Sequence, residues 1–587
     1  MDKPCFIFDI ETTGLPMFSA FRCMSYSWSL EGEINTVFTL EEAVNILRAA
    51  MCVDVYIAGH NIFTFDLPLL LWHHQRSGST APLQSELIRV GTAGRLLDTL
   101  IFSVKLFPLR ERHGMGSWAS MVETVYGMEG KTEVEDFATA SDAELAERCS
   151  HDVRIQQCLT HYFCETHGAP DNINGWEEDC AFFPVVLDLL TSGLPYDRDK
   201  AAEARKLVEA RLAGPLALWE TTAPGVNPNS TKQIDAWLVE RHGKGLPRTK
   251  KGRPSFNKQN KRRIVNEFPE LGPLLRITAE RGTAQFLDKD SKSNCENYIR
   301  ESVHTGTEAV FPSMNVYGTR THRASYSNPP LNQFPKHIRG IVEAPRGWLM
   351  VGVDIVALEM SVIGRAFREV LDDDTIERQV RSGVSVKQLT MDAFAPAMER
   401  TVYQPGETPE SLAKKVNYAL IYGAGIPLLM DFYNADRSVI EECVERRFPG
   451  FKRLSDAVQR GVRGAEVSDD DGGNSTGTME SFYGTQIRTE KWKALNTLCQ
   501  TSGAEYAKRV FTRLHERITY AFADARAIIF NHDELQWLVR GTDAAYVEGI
   551  VKEICGGLEE YMDGLDDGVG FLTGVDYAVG SSWKETH

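Results

Sequence analysis

The run from Trp348 to Phe367, WLMVGVDIVALEMSVIGRAF, is almost wholly apolar, yet it carries Asp354 and, five residues on, Glu359. A carboxylate in such a strand costs several kcal/mol unless a partner or a metal offsets it, so Asp354 calls for a cation. A second apolar stretch, Ala527 to Arg540, is interrupted by Asn531, His532, Asp533 and Glu534. Two strand-borne acids of this kind suit a two-metal site for in-line phosphoryl transfer, in which oxygen-ligated divalent ions neutralise the attacking and leaving oxygens. Taken singly, either stretch is a weak motif, and an acid that merely sits in a turn explains it equally well.

A second set of acids lies near the N-terminus. Phe6 to Thr12 reads as a strand, and its period of two puts Asp9 and Glu11 on one face. Tyr56 to Asn61 reads as a strand and turn, Phe65-Asp66-Leu67 follows, and the helical stretch from Asp142 to Leu159 carries Asp152.

The elements between these acids supply other chemistry. Thr408 as N-cap and Pro409 at the first position start a helix that Gly423 ends. Lys414, Tyr418 and Tyr422 are four apart and share one face. An aromatic stripe is usually core, but joined to a lysine it suits a nucleotide, with an ammonium for phosphates and rings for ribose and base. In the middle of the chain, helices are expected over Arg198 to Glu220, around Gln233 to Leu238 behind the cap Asn227 to Ser230, and over Lys261 to Arg281. From Arg241 to Arg263 there are ten Lys or Arg and no acid, so Lys250, Lys251 and Arg253 are candidate phosphate contacts, with a solvated loop as the bland alternative.

With 587 residues and 42% hydrophobic content the chain can bury several cores, and two to four domains are expected. A net charge of -17 argues against a generally basic nucleic-acid binder, so DNA contact must come from local basic surface. Eleven cysteines without a CxxC pair give no disulfide or zinc framework and suit a reducing cytoplasm. No signal-peptide pattern or membrane-length apolar run is visible in the sequence.

The N-terminal order, a DxE strand, an FD pair and a helical aspartate, resembles the ribonuclease-H-like 3′-5′ exonucleases of the DEDD superfamily. The resemblance implies that Asp9, Glu11, Asp66 and Asp152 hold two metals. The remainder resembles family A DNA polymerases, most closely the phage replicative members. Asp354 and Glu359 match the first palm motif, Lys414, Tyr418, Tyr422 and Gly423 the fingers helix, Leu495 to Gln500 a segment with a minor-groove glutamine, and His532, Asp533 and Glu534 the last palm motif. Leu572, Thr573 and Gly574 to Trp583 also look phage-like.

The implied fold is multidomain α/β and α+β: an exonuclease domain at 1–175, thumb and connecting helices at 176–310, palm at 311–369, fingers at 370–495 and palm again at 496–587. The implied activity is template-directed DNA synthesis with proofreading, on primer-template DNA and dNTPs, using two Mg²⁺ per site with Mn²⁺ as a substitute. Asp354 and Asp533 would bridge the metals, with the carbonyl of Ile355 on one of them. Lys414 would neutralise the triphosphate, Tyr418 would pack on Glu359, and Tyr422 would stack at the templating position. Arg323, in preference to Arg320, and Gln500 would read the minor groove, and His532 would touch the primer terminus. A monomer in the cytoplasm of a phage host is expected, without a thioredoxin-type processivity factor, because Arg241 to Arg263 is too short for the thumb insertion that recruits one.

Two positions depart from the pattern. Arg148 and Glu147 stand where the exonucleases place a tyrosine or histidine to orient water, with His151 a stand-in about 100° away from Asp152 around the helix. Glu410 stands four before Lys414, where relatives carry a triphosphate-binding arginine, so Glu410→Arg is expected to tighten dNTP binding roughly tenfold for about 1.4 kcal/mol of charge interaction. The rival readings are a single-subunit RNA polymerase, disfavoured by Glu359 and by the exonuclease half, and a catalytically idle DNA-binding scaffold, disfavoured by the retained acids.

Overall fold

The structure is a computed structural model that describes the chain except residues 1–2, 15–17, 80, 129–135, 250–251, 257–263, 266, 400, 402, 404–406, 423–424, 468–474 and 559–573. Lys250, Lys251, Gly423, Leu572 and Thr573 therefore lie outside the described residues.

Strand β1 (Cys5–Thr12) puts Phe6, Phe8 and Ile10 on one face and Cys5, Ile7, Asp9 and Glu11 on the other, all buried but Asp9, which suits the centre of a sheet covered on both sides. It pairs antiparallel with β2 (Phe21–Ser27), which pairs with β3 (Asn35–Val37), and parallel with β4 (Tyr56–Gly59), which pairs with β5 (Leu96–Asp98). The strand order is β3-β2-β1-β4-β5. Helix Asp142–His161 begins at a capping box between Ser141 and Glu144 and packs across β1 and β2. The period of two turns Asp9 and Glu11 toward that helix, where Gln156 Nε2 donates to Asp9 Oδ1 at 2.7 Å and Arg148 Nε donates to Glu11 Oε1 at 2.7 Å.

Helix Trp176–Thr191 is apolar on nearly every side because it is clasped between this sheet module and the rest of the chain. Its Phe183 ring meets Phe63 at 4.8 Å and its Phe182 ring meets Phe530 at 5.4 Å, so one hydrophobic core runs through both halves. At the seam its Asp179 is buried between Lys105 Nζ at 2.6 Å and Lys508 Nζ at 3.5 Å and accepts the Tyr317 hydroxyl.

A helical arm follows, with helices Arg198–Thr222, Thr231–His242 and Gly272–Ala284. It has its own small core of Trp219, Ile234, Leu238, Leu246, Ile264, Phe268, Leu271, Leu274 and Ile277. The continuous helix expected over Lys261 to Arg281 is not formed. Residues 264, 265 and 267 are helical, Pro269 then opens a 3₁₀ turn that ends at Leu271, and a second α-helix starts at Gly272 with Pro273 in its first turn, since each proline lacks the N–H a helix interior needs. In the basic loop, Arg248 pairs with Asp235 at 2.8 Å and Lys244 pairs with Glu267, while Arg253 remains exposed.

Short strands β6 (Leu194–Pro195), β7 (Ile299–Glu301) and β8 (Glu308–Val310) form a small sheet, and β9 (Ser313–Asn315) pairs with β10 (Ser325–Ser327). The apolar run carrying Asp354 forms β11 (Trp348–Ile355) and then helix Leu358–Leu371. Helices Val386–Met398, Pro409–Ile421, Ile426–Tyr433, Arg437–Arg447 and Phe451–Arg460 come next, then the sheet of β12 (Arg463–Val467), β13 (Ser475–Glu480) and β14 (Gln486–Glu490), and then the long helix Ala494–Ala521. The second acid stretch is a hairpin of β15 (Arg526–Asn531) and β16 (Glu534–Arg540), and β17 (Val575–Gly580) completes an antiparallel sheet in the order β15-β16-β11-β17.

Candidate active site

Sheet register gathers acids that the chain keeps far apart. Asp354 lies opposite Glu534 on one neighbouring strand and opposite Asp576 on the other. Asn531 faces Glu534 across the β15–β16 hairpin, so His532 and Asp533 form a two-residue turn, with His532 at a φ of 66°. Asp533 is thus carried by a turn and not by a strand, a correction to the reading of two strand-borne acids. The Ile355 N–H donates to the Asp533 carbonyl at 2.8 Å, which fixes the turn against the end of β11. Burial, then the neighbouring Asp533, Glu534 and Asp576, push the Asp354 carboxyl up to about 7. Burial and Glu359 push Asp533 up to about 6. Crowded acids of raised pKa, all hard oxygen donors, fit a divalent cation that would relieve their repulsion.

The raised carboxyls make stability depend on pH. Both folded-state values lie above the unfolded carboxyl range near 4, so the stabilisation is full below about pH 4 and is lost as pH rises through 6 to 7. In EDTA this contribution should fall between about pH 4 and pH 7, with Mg²⁺ restoring stability mainly at the upper end, because proton competition weakens metal binding by up to about tenfold per pH unit. Thermal melts of the wild type and Asp354→Asn, compared at each pH, isolate the effect; parallel melting curves would count against it.

These acids floor a cavity of about 940 Å³ whose lining includes Lys414 and Tyr418 from helix Pro409–Ile421, as the spacing predicts. The Tyr418 and Tyr422 rings lie 5.6 Å apart, and the Lys414 ammonium is 5.8 Å from the Tyr418 ring. Burial, then Glu359, push the Tyr418 phenol well above its ordinary value. Thr408 caps the helix, but its reciprocal partner is Ser411. Glu359 is buried in the first turn of helix Leu358–Leu371, where Arg323 Nη2 reaches its Oε1 at 3.3 Å. Arg320 is exposed, and of the two arginines Arg323 is the one that reaches Glu359. Thr321 Oγ1 donates to Gln500 Oε1 at 3.1 Å, which sets Gln500 beside the loop that carries Arg323. Burial and Arg323 depress the His532 imidazole to about 4, leaving it neutral at physiological pH.

Other expectations change. Glu410 is exposed and is not among the described residues lining the cavity, although it interacts electrostatically with Lys387, which is. Sequence reading missed Lys336, Arg339 and Lys387, which join Lys414 in the cavity walls. It also missed Asp576, one acid in a short strand. Glu534 is buried and has partners of its own: it accepts from Trp583 Nε1 at 2.5 Å and pairs with Arg339 at 3.2 Å and His587 at 2.8 Å. Burial opposes its ionisation, but His587, Arg339 and Trp583 overcome that and hold it below its ordinary value.

In the N-terminal module the carboxylate oxygens of Asp9, Glu11 and Asp152 lie within 4.8 Å of one another, a spacing that fits a metal ion. Asp66 lines the same cavity of about 270 Å³ but stands outside this trio. Burial, and then Asp98 and Glu11, push its carboxyl up to about 8. Asp98 has a structural job: it caps helix Thr99–Leu106 through the Leu100 N–H and accepts from the Asn61 and Phe63 amides. Arg148, not His151, lines the cavity beside the acids.

A family model described as DNA polymerase family A matches residues 199–585. The DNA polymerase of Mycobacterium phage L5 is 24% identical over 559 residues, covering 87% of this chain and 83% of that protein. DNA polymerase I of Pseudomonas aeruginosa is 23% identical over 429 residues, covering 69% of this chain but 43% of its own length, so the chain spans less than half of that relative. Among solved structures, the POL domain of Pol1 from M. smegmatis, in complex with DNA primer-template and dNTP, superposes with a TM-score of 0.70 at 14% identity, covering 98% of this chain and 96% of that one, which establishes a common fold. No helix among the described residues is long and apolar enough to cross a membrane. With the model spanning the whole stretch that carries Asp354, Lys414 and Asp533, the chain belongs to DNA polymerase family A.

Proposed function

We propose that this chain is a DNA-directed DNA polymerase with a 3′-5′ proofreading exonuclease, serving phage DNA replication as a monomer in the host cytoplasm without a thioredoxin-type factor. The observation that carries this reading is the cavity in which Asp354 and Asp533 lie beneath Lys414 and Tyr418, a nucleotide-sized space with acids on its floor and cations in its walls. Residues 1–175 act as a ribonuclease-H-like domain, 176–310 as thumb and connecting helices, 311–369 and 496–587 as palm, and 370–495 as fingers. Two Mg²⁺ at Asp354, Asp533 and the Ile355 carbonyl, with Mn²⁺ as a substitute, would activate the primer 3′-hydroxyl and neutralise the leaving pyrophosphate.

The chain's own residues do the rest. Lys414 offers its ammonium to the triphosphate, and Lys336 and Lys387 add the charge that Glu410 does not. Tyr418 beside Glu359 narrows the space at the sugar, and Tyr422 offers its ring to the templating base. Arg323 and Gln500 check pairing through minor-groove acceptors that all correct pairs present alike. Asp9, Glu11, Asp66 and Asp152 serve the exonuclease, and Arg253 with Lys250 and Lys251 holds duplex phosphates.

Primer extension with Mg²⁺ and dNTPs, set against rNTPs, tests the reading: extension by dNTPs alone is expected, whereas extension by rNTPs would favour an RNA polymerase and no extension an idle scaffold. Lys387→Ala should weaken single-turnover dNTP binding about tenfold, while Glu410→Arg should change it by less than about threefold. Equal effects would return Glu410 to the site. Dideoxynucleotides should be accepted readily, because the Tyr418 hydroxyl can fill the place of a missing 3′-hydroxyl, and Tyr418→Phe should cut their use by about tenfold or more. Unchanged termination ratios would remove Tyr418 from the sugar.

A further inference from the structure

Arg148 occupies the middle of the exonuclease acids. Its Nε donates to Glu11 Oε1 at 2.7 Å and its Nη2 lies 3.8 Å from Asp152 Oδ2. Arg148 and Asp152 are four apart on one helix and share its face, while the guanidinium carbon sits 4.8 Å over the Phe137 ring. The Arg148, Glu11 and Asp152 side chains are only 10%, 9% and 2% exposed, so this charge contact is largely shielded from solvent. Glu11 and Asp152, with Asp9, are the trio spaced for a metal ion. The cavity they line is about 270 Å³, small enough that a guanidinium, a metal ion and a phosphate compete for one space.

An arginine here does what a neutral water-orienting side chain could not. It cancels one of the negative charges that would attract a divalent cation, and it occupies two of the donor groups. Its planar fork suits one other partner that a DNA end brings, the non-bridging oxygens of a phosphodiester. We propose that Arg148 is a resident countercation that holds the exonuclease site closed to divalent metal until the phosphate of an entering DNA 3′ end draws the guanidinium off Glu11 and Asp152. This rests on the exonuclease reading of Asp9, Glu11 and Asp152. Metal and single-stranded 3′ ends then bind this site cooperatively, and by linkage each tightens the other equally.

The test is Mn²⁺ binding to the full-length chain by electron paramagnetic resonance, with and without oligo(dT) carrying a non-hydrolysable 3′-terminal phosphorothioate. Binding lost in Asp9→Ala identifies the exonuclease site. In the wild type that site should bind Mn²⁺ weakly alone and about tenfold or more tightly with the oligonucleotide; in Arg148→Gln it should bind tightly without DNA, and the DNA dependence should vanish. Equal Mn²⁺ affinity of wild type and Arg148→Gln without DNA overturns the proposal while leaving the exonuclease reading intact, as does loss of the Mn²⁺ site in a folded Arg148→Gln. If Asp9→Ala loses no Mn²⁺, the exonuclease reading fails and this proposal with it. Should Arg148→Gln not fold, Arg148→Lys keeps the charge on a shorter stem without the fork; intermediate affinity supports the proposal and wild-type affinity overturns it.

Discussion

Asp354→Ala is expected to reduce primer extension by about a thousandfold or more while leaving degradation of single-stranded 3′ ends within about twofold, and Asp9→Ala to do the reverse. The two acids belong to different sheets, and each is surrounded by its own set of carboxylates: Asp533, Glu534 and Asp576 around the first, Glu11 and Asp152 around the second. Removing one acid from a crowd that repels itself should spare folding, which a thermal melt checks. Because one hydrophobic core runs through both modules, the control matters. Loss of both activities in a still-folded variant would show that the sites are not separate.

Asp179→Ala should destabilise the protein by about 3–5 kcal/mol, since it strands two buried ammonium groups. The Asp179 carboxyl is held below its ordinary value although burial opposes this, because Lys105 and Lys508 overcome the burial. Burial already depresses Lys508 to about 8, with Asp179 opposing the fall. The signs differ for the two groups. The Asp179 contribution is present above the unfolded carboxyl value near 4 and is lost as pH falls through the folded one. Lys508 has a folded value below the unfolded value near 10, so the native state sheds its proton first and stability rises from about pH 8 upward. Without Asp179 that rise should begin nearer neutrality, so the variant's deficit in urea melts should shrink between about pH 7 and pH 9.5. A deficit that stays constant would mean that the lysines find other partners. Since Lys105 and Asp179 sit on opposite sides of the seam, the variant should also loosen the junction of the two modules.

What the sequence made legible was local. The period of two in β1, the continuous apolar run of β11, the cap at Thr408 and the four-residue spacing of Lys414 and Tyr418 are local signals, and the fold honours them. Neighbours in the chain take different partners: Asp533 and Glu534 are adjacent and both line the cavity, yet Glu534 is tied to Trp583 and Arg339, which adjacency alone does not reveal. Partners distant in sequence were not legible. Arg148 reaches Glu11 across 137 positions, and Asp576 meets Asp354 only through sheet register, which periodicity cannot supply. Lys336 and Lys387 carry no motif of their own, and only the cavity unites them. The error at Lys261 to Arg281 was of another kind: helix formers were weighed above Pro269 and Pro273, whose backbones decided the boundary.

The position of β11 bears on how the protein is made. Its partners β16 and β17 are encoded far downstream, beginning at Glu534 and Val575. A ribosome adding about 5–20 residues per second therefore leaves WLMVGVDI without either neighbour for roughly ten to forty seconds. For that interval the most apolar strand of the polymerase half emerges with both edges open, a template for pairing with other chains. Expression should accordingly be limited by chaperone capacity and by translation speed between codons 355 and 580, and slower growth temperature should rescue yield more than any change to the finished fold.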